Sequence, residues 1–126
     1  ETKKFLLGYR SKHVNEPNTW NIFGGAIEDN EKNAAFAAAR EFKEETGYSG
    51  YIRIRPLYVY QDDDSEFKYF NFLGMVPKEF TPILNWENEK AKWFTLDEIL
   101  KLENKHFGLI KLLINNYDML KELSEK

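Results

Sequence analysis

The feature that most constrains this chain is an alanine-rich segment, residues 31–46, that ends at a glycine. Its apolar residues recur at helical spacing and form one face, made of Ala34, Ala35, Ala38, Ala39 and Phe42. Alanine favours a helix, Glu31 places a negative charge at its start, and Gly47 can adopt the left-handed conformation that ends helices. The segment therefore predicts an amphipathic helix over residues 31–46.

Three glutamates, Glu41, Glu44 and Glu45, lie on one stripe of this predicted helix at spacings of three and four residues. Like charges at such spacings repel by about 0.2–0.5 kcal/mol per pair. The stripe borders the apolar face, so Glu45 in particular should be partly desolvated. Arg40 can neutralise one carboxylate, and the others suit Mg²⁺ or Mn²⁺, which prefer oxygen ligands and can also bind substrate phosphates. For an isolated pattern of this kind, a solvated acidic face is the alternative interpretation.

The rest of the chain predicts an α/β (α+β) fold with a mixed β-sheet between helices. Alternating or apolar runs predict strands at residues 4–9, 51–61, 67–76 and 91–95, and helical periodicity predicts helices at residues 96–102 and 106–123. Residues 62–65 are turn-forming, which indicates a hairpin between the second and third of these strands. Strands and helices are mixed without strict alternation, as in a sheet flanked by helices.

Length and composition exclude several classes of protein. The chain has 126 residues, which predicts one domain over residues 1–126. It contains no cysteine, so it has no disulfides and no thiolate site, and we expect a reducing, cytoplasmic location. Its net charge of −3 gives no reason to expect stable binding to nucleic acid, and no apolar run is long enough for a membrane helix. Because the chain starts at Glu1 and enters a strand almost at once, we expect an upstream segment to be missing.

One stretch resembles a known family. GGAIEDNEKNAAFAAAREFKEETGY is similar to the Nudix box, and the positions that match in type are Gly25, Arg40, Glu41, Phe42, Glu44, Glu45, Gly47 and Tyr48. The flanking segments LLGYR and AKWFTLDEI also resemble family positions, so the similarity spans nearly the whole chain. Two features depart from the pattern. Eight residues, rather than seven, separate Glu31 from Arg40, and Phe23 stands where many members have proline.

The resemblance implies a Nudix-like α/β/α sandwich and a metal-dependent hydrolase that splits nucleoside diphosphates linked to another group. It implies that Glu44 and Glu45 are the principal ligands of Mg²⁺ (or Mn²⁺), and that Glu41 is a further ligand or orients water. It also implies that Arg40 holds the carboxylates in place and that the backbone carbonyl of Gly24 completes the metal sphere. The extra residue before Arg40 leaves open whether Glu31 pairs with it.

Further residues are candidates for the same site. Many family members have an extra carboxylate near the metals, before the last strand, and Glu89 is our choice as additional ligand or general base. A solvated loop glutamate is an equally good interpretation. For substrate binding we select Arg10 as a phosphate contact, Gly25 as a point of close backbone approach, and Trp86 as a surface for stacking on a nucleobase.

The sequence leaves the substrate open among nucleoside triphosphates, ADP-ribose, dinucleoside polyphosphates and nucleotide sugars. We favour nucleoside triphosphates because a short chain has little room for a second substrate-binding subdomain. The alternative function is a catalytically inactive nucleotide-binding or regulatory module, but such proteins usually lose carboxylates that are present here. Isomerisation of an isoprenoid diphosphate requires a cysteine in the relatives that perform it, and this chain has none. Many family members are homodimers, and no sequence feature decides the oligomeric state.

Overall fold

The computed structural model describes residues 3–23, 33–57, 60–61 and 68–125, with the backbone alone at residues 60–61 and 68–69. Its elements in chain order are β1 (Phe5–Arg10), β2 (Trp20–Asn21), α1 (Ala34–Thr46), β3 (Arg53–Pro56), β4 (Tyr60–Gln61), β5 (Lys68–Tyr69), β6 (Phe72–Met75), β7 (Asn88–Phe94), α2 (Leu96–Leu100) and α3 (Phe107–Ser124). No helix within these ranges is both apolar enough and long enough to cross a membrane.

A three-stranded antiparallel sheet in the order β2-β1-β7 forms one side of the fold. Gly8 lies at its centre, opposite Asn21 on β2 and Ala91 on β7. A parallel bridge between Trp20 and Lys105 extends this sheet beyond β2. β7 begins three residues earlier than the strand predicted at residues 91–95, because its pairing with β1 continues to Asn88.

The predicted hairpin is present as two short ladders. β3 pairs with β6 and β4 pairs with β5, both antiparallel. The turn that the sequence predicts at residues 62–65 lies outside the described residues. The helices pack against different strands, since α1 contacts β3 and β6, α2 contacts β7, and α3 contacts β2. The predicted class of β-structure between helices is therefore confirmed.

The caps decide where α1 begins and ends. The extended backbone of Asn33 precedes the helix, and its side chain accepts a hydrogen bond from the backbone N–H of Phe36. The helix therefore starts at Ala34, inside the predicted start at residue 31, and its first turn contains no acidic residue. Gly47 has a φ of 69° and ends the helix as the sequence predicts, because only glycine adopts this conformation without steric cost.

The main core lies between the three-stranded sheet and the last two helices. Its buried members include Leu7, Leu57, Phe94, Leu96, Ile99, Leu109, Leu112, Leu113 and Leu120. Trp20 packs edge to face on Phe94, with ring centroids 4.9 Å apart. Thr95 and Glu98 form a capping box at the start of α2, and the hydrogen bonds from Thr95 lower the pKa of Glu98. These contacts place α2 and α3 against β7 and β2.

His106 begins α3 and connects it to the loop that follows β1. Its Nδ1 accepts a hydrogen bond of 2.9 Å from the N–H of Gly108, and its Nε2 lies 2.9 Å from Oε2 of Glu16. Burial lowers the pKa of His106, and the positive charge of Arg10 acts in the same direction, whereas Glu16 opposes both. A neutral imidazole, protonated at Nε2 only, satisfies both contacts. His106 is the N-cap of α3, so the helix predicted to start at residue 106 begins there.

Candidate active site

The carboxyl-terminal half of α1 presents the three glutamates singled out in the sequence. Arg40 lies beside two of them, since its Nη1 is 3.0 Å from Oε1 of Glu41 and 3.0 Å from Oε2 of Glu44. The side chains of Arg40 and Glu41 are 19% and 16% exposed, whereas that of Glu44 is 56% exposed. The guanidinium thus engages one oxygen of each carboxylate and fixes both on the same stripe of the helix.

Glu45 is only 3% exposed, and its neighbour Thr46 is 1% exposed. The sequence predicts partial desolvation of this glutamate, and the structure places it almost wholly inside. Together with Asn21 and Asn88, Glu45 lines a cleft of about 1690 Å³ between the sheets. Moving a carboxylate from water into the protein interior costs on the order of several kcal/mol, unless a nearby charge or hydrogen bonds compensate for the lost hydration.

The end of α1 is fastened to the segment before β7. The N–H of Ile83 donates a hydrogen bond of 2.7 Å to the carbonyl of Thr46, and the hydroxyl of Thr46 donates one of 2.7 Å to the carbonyl of Phe42. The side chain of Ile83 lies over Gly47, where a β-carbon would approach it to 3.2 Å. The turn that carries Glu44 and Glu45 is therefore held at its end by backbone contacts.

An aromatic cluster joins α1 to β7. Its members are Phe23, Phe42, Tyr48, Phe80 and Trp93. The ring of Phe80 contacts those of Phe42 and Tyr48 at centroid distances of 6.0 and 4.5 Å. Helical spacing predicts that Phe42 lies on the apolar face of α1, but it cannot predict the partners of Phe42, because they lie far apart along the chain. The cluster sets the distance between the glutamate-bearing helix and the sheet.

The start of β7 differs from the prediction. Glu89 is not in a loop but in the strand, and it is exposed. The β1–β7 register shifts between Tyr9 and Arg10, which leaves Glu89 as the extra residue of a β-bulge. Asn88, which no sequence pattern identifies as a site residue, is 9% exposed and lines the cleft. A bulge has no reliable sequence signal here, so periodicity could not assign these two side chains to their faces.

The remaining predicted site residues are not all gathered at α1. Arg10 uses Nε and Nη2 to donate hydrogen bonds of 2.9 and 2.6 Å to the carbonyl of Asn15. Trp86 is 64% exposed, and its carbonyl accepts a hydrogen bond of 2.9 Å from the hydroxyl of Ser11. The predicted sites at Gly24 and Gly25, and the glutamate at position 31, lie outside the described residues.

The donor chemistry of α1 fits Mg²⁺ or Mn²⁺, since all its candidate side-chain ligands are carboxylate oxygens. Across residues 3–23, 33–57, 60–61 and 68–125, no three His, Cys, Asp or Glu side chains converge into a ready-made metal cage. Glu41, Glu44 and Glu45 therefore do not by themselves form a complete metal site in the described part of the chain.

Comparisons with known proteins show the family and the fold of the chain. The sequence profile of the NUDIX domain matches residues 1–113. A protein of Streptomyces rubellomurinus named CMP-5'-(N-acetyl-N-hydroxy-3-aminopropyl)phosphonate hydrolase is 32% identical over 110 residues, which cover 81% of this chain and 50% of that protein. The chain thus spans about half the length of this curated relative.

Solved structures share the fold. The Nudix hydrolase RenU from M. smegmatis superposes with a TM-score of 0.74 and 19% identity, over 97% of this chain and 75% of that one. The NUDIX domain of NrtR from Shewanella oneidensis, crystallised with ADP ribose, gives a TM-score of 0.71 and 20% identity, over 93% of this chain and 77% of that one. With the profile match over most of its length, the chain belongs to the NUDIX domain family.

Proposed function

We propose that this chain hydrolyses a diphosphate linkage in a nucleoside diphosphate derivative, with Mg²⁺ or Mn²⁺ as cofactor. The observation that carries the proposal is the face of α1, where Arg40 holds Glu41 and Glu44 on one stripe and Glu45 lies buried beside them. Membership of the NUDIX family supports hydrolysis as the reaction. The presence of all three glutamates favours an active enzyme over a binding module that has lost catalysis.

In this proposal Glu44 and Glu45 are the principal metal ligands, and the carbonyl of Gly24 adds another. A divalent cation held by these residues would supply positive charge to the diphosphate oxygens, including the one that leaves. Arg40 occupies one oxygen of Glu41 and one of Glu44, and each carboxylate has a second oxygen that can coordinate a cation or accept a proton. Arg40 thereby limits the rotation of both side chains, so that they meet the substrate in one geometry.

The chemical step is the attack of water on phosphorus. One carboxylate of the α1 stripe accepts a proton from the water. The oxygen of the water then bonds to phosphorus, and the bond from phosphorus to the bridging oxygen breaks. The bridging oxygen leaves with the electron pair and is protonated from solvent. Glu41, half-buried and fixed by Arg40, is suited to orient the water. Glu89 is exposed in β7 and is the weaker candidate for this role.

The substrate that we propose is a small nucleotide, with nucleoside triphosphates first among the candidates. The names of two similar proteins favour the class of small nucleotides. The name of the Streptomyces rubellomurinus protein refers to a CMP-linked phosphonate, and the NrtR domain was crystallised with ADP ribose. Arg10 is the last residue of β1, and the hydroxyl of the next residue, Ser11, donates a hydrogen bond to the carbonyl of Trp86, which brings the two segments together. We propose that either Arg10 or Trp86 contacts the substrate there, and that residues 1–126 fold as one hydrolase domain.

A nucleotide panel tests the proposal. Nucleoside triphosphates, ADP-ribose, a dinucleoside polyphosphate, a nucleotide sugar and a CMP-linked phosphonate are incubated with the protein, and phosphate is detected with malachite green after coupling to pyrophosphatase or alkaline phosphatase. We expect turnover of at least one compound with Mg²⁺ or Mn²⁺, and none after chelation with EDTA. Binding of Mn²⁺ without turnover of any compound would contradict hydrolysis and support the inactive module.

A further inference from the structure

We propose that the exposed side of α3 binds a second copy of this chain, with the two helices packed antiparallel about a two-fold axis at the middle of α3. We call this surface the α3 face and define it by Phe107, Ile110, Lys111, Ile114, Asp118 and Lys121. The inference is independent of the proposed function, because none of these residues takes part in the chemistry assigned to α1.

Three large apolar side chains of the α3 face are exposed. Phe107 is 48% exposed, Ile110 is 39% exposed and Ile114 is 70% exposed. They are separated by three and four residues, so they follow one another along the same side of the helix. A single exposed apolar residue is common on a protein surface, whereas a contiguous row of them marks a surface that another protein covers.

The opposite side of α3 provides the packing of the helix within its own chain. The members of the main core on this helix are Leu109, Leu112, Leu113 and Leu120. At about 100° per residue, these side chains lie about 100–160° around the helix from Ile114. The helix therefore has two apolar sides, and the core of its own chain covers the side that carries these leucines.

The charges of the α3 face favour a second copy as the occupant. Lys111 lies three residues before Ile114, Asp118 lies four residues after it, and both charged side chains are exposed. When two α3 helices cross antiparallel near Ile114, Lys111 of each copy lies opposite Asp118 of the other, and two ion pairs form. Parallel helices would bring like charges together. The face is therefore complementary to itself in the antiparallel orientation, as a two-fold interface requires.

Phe107 and Lys121 continue the same symmetry. Phe107 lies seven residues before Ile114 and Lys121 lies seven residues after it, which is about two helical turns in each direction. A two-fold axis near Ile114 thus places the ammonium of Lys121 beside the ring of Phe107 in the other copy, an attractive pairing of a cation with an aromatic face. At about 1.5 Å per residue, the contact extends over about 21 Å of α3.

The test measures self-association. Sedimentation equilibrium at about 10–500 µM protein gives the dissociation constant of the dimer, because the dimer fraction rises with concentration. We expect a dimer, and we expect Ile114→Asp to weaken it about tenfold or more, because a charge is then buried at the axis in both copies. Asp118→Lys should weaken it about threefold or more, and adding Lys111→Asp to the same chain should restore it, because the ion pairs form again with their signs exchanged.

Ile83→Asp is the matched control, because Ile83 is 77% exposed and lies outside α3. It should keep the dissociation constant of the unaltered protein, and circular dichroism should show that every variant is folded. The inference is wrong if the unaltered protein stays a monomer at the highest concentration. It is also wrong if folded Ile114→Asp dimerises as tightly as the unaltered protein, since the contact then lies on another face. Failure of Lys111→Asp to restore the association of Asp118→Lys would overturn the antiparallel arrangement.

Discussion

Trp93 on β7 donates a hydrogen bond of 3.0 Å from Nε1 to the carbonyl oxygen of Phe80, and the two rings pack edge to face with centroids 5.5 Å apart. Phe80 belongs to an irregular segment, yet it also packs on Phe42 of α1. Phe80, which lies outside regular structure, therefore packs between the sheet and the helix that carries the glutamates.

Truncation at this point should destabilise the fold. We expect Phe80→Ala to lower the free energy of unfolding by about 3 kcal/mol, because it removes a ring that contacts three others. Trp93→Phe keeps a ring but loses the hydrogen bond, and should cost about 1 kcal/mol. Urea denaturation followed by circular dichroism measures both. Tyr51→Ala, at a side chain that is 67% exposed, is the control, and equal losses for Phe80→Ala and Tyr51→Ala would contradict the role of the cluster.

The glutamates of α1 should be needed for turnover but not for folding. We expect Glu44→Gln and Glu45→Gln each to reduce the rate of phosphate release about 100-fold or more, since each removes a charge that the reaction requires while keeping the shape of the side chain. Binding of Mn²⁺, followed by loss of the free-ion signal in electron paramagnetic resonance, should weaken in both. Glu103→Gln, on an exposed residue after α2, should retain full activity. Full activity in either α1 variant would refute the site.

Lys105 should stabilise the end of α2. Its Nζ donates hydrogen bonds to the carbonyls of Leu100 and Leu102, both at 2.9 Å, and to that of Ile99 at 3.4 Å. Lys105→Met keeps most of the side chain but leaves these acceptors without the ammonium, which should cost about 1–2 kcal/mol in urea denaturation. Lys12→Met, at an exposed lysine in a turn, should have little effect, and similar losses for the two variants would show that the ammonium contributes nothing specific.

His106 should make stability depend on pH. Burial holds its pKa in the folded protein below the ordinary value of 6.5, so the unfolded chain binds more protons as the pH falls below that value. Protonation of Nδ1 would also remove the acceptor for the N–H of Gly108. Stability should therefore fall from the ordinary pKa down to the lower, folded-state pKa and change no further below it.

The check for His106 is urea denaturation at about pH 7.5 and about pH 5, a range that brackets its ordinary pKa. His106→Gln should lose less stability over this range than the unaltered protein, because it removes the titrating group. His13→Gln is the matched control, since His13 is an exposed histidine in the loop after β1, and it should behave as the unaltered protein does. If all three proteins lose the same amount of stability, the desolvation of His106 is not the cause of the pH dependence of stability.

Local signals in the sequence were enough to predict most of the elements. Helical spacing of alanines and a following glycine predicted α1 and its end at Gly47, and helical periodicity predicted the start of α2 at Leu96. The start of α1 was predicted too early, at residue 31, because Asn33 caps the helix and α1 begins at Ala34. Such caps depend on the conformation of one residue, which propensities do not resolve.

The candidate site was predictable where it lies on one helix and not where it depends on contacts between distant segments. The stripe of three glutamates follows from spacing alone, and so does the pairing of Arg40 with Glu44. The simultaneous contact of Arg40 with Glu41 requires a particular side-chain rotamer. Asn88, and not Glu89, lines the cleft because of a one-residue bulge between β1 and β7. These two strands are about eighty residues apart in the sequence, so local patterns do not predict the bulge.

The position of Glu44 and Glu45 in the last turn of α1 has an electrostatic consequence. The peptide dipoles of a helix add up to a partial negative charge at its carboxyl end, so the backbone itself repels these carboxylates. Each of them would be more stable at the opposite end of the same helix. A cation that binds here would be attracted by the aligned peptide units as well as by the side chains. The last turn of α1 is therefore less stable without a cation, but it binds positive charge more strongly than side chains alone would.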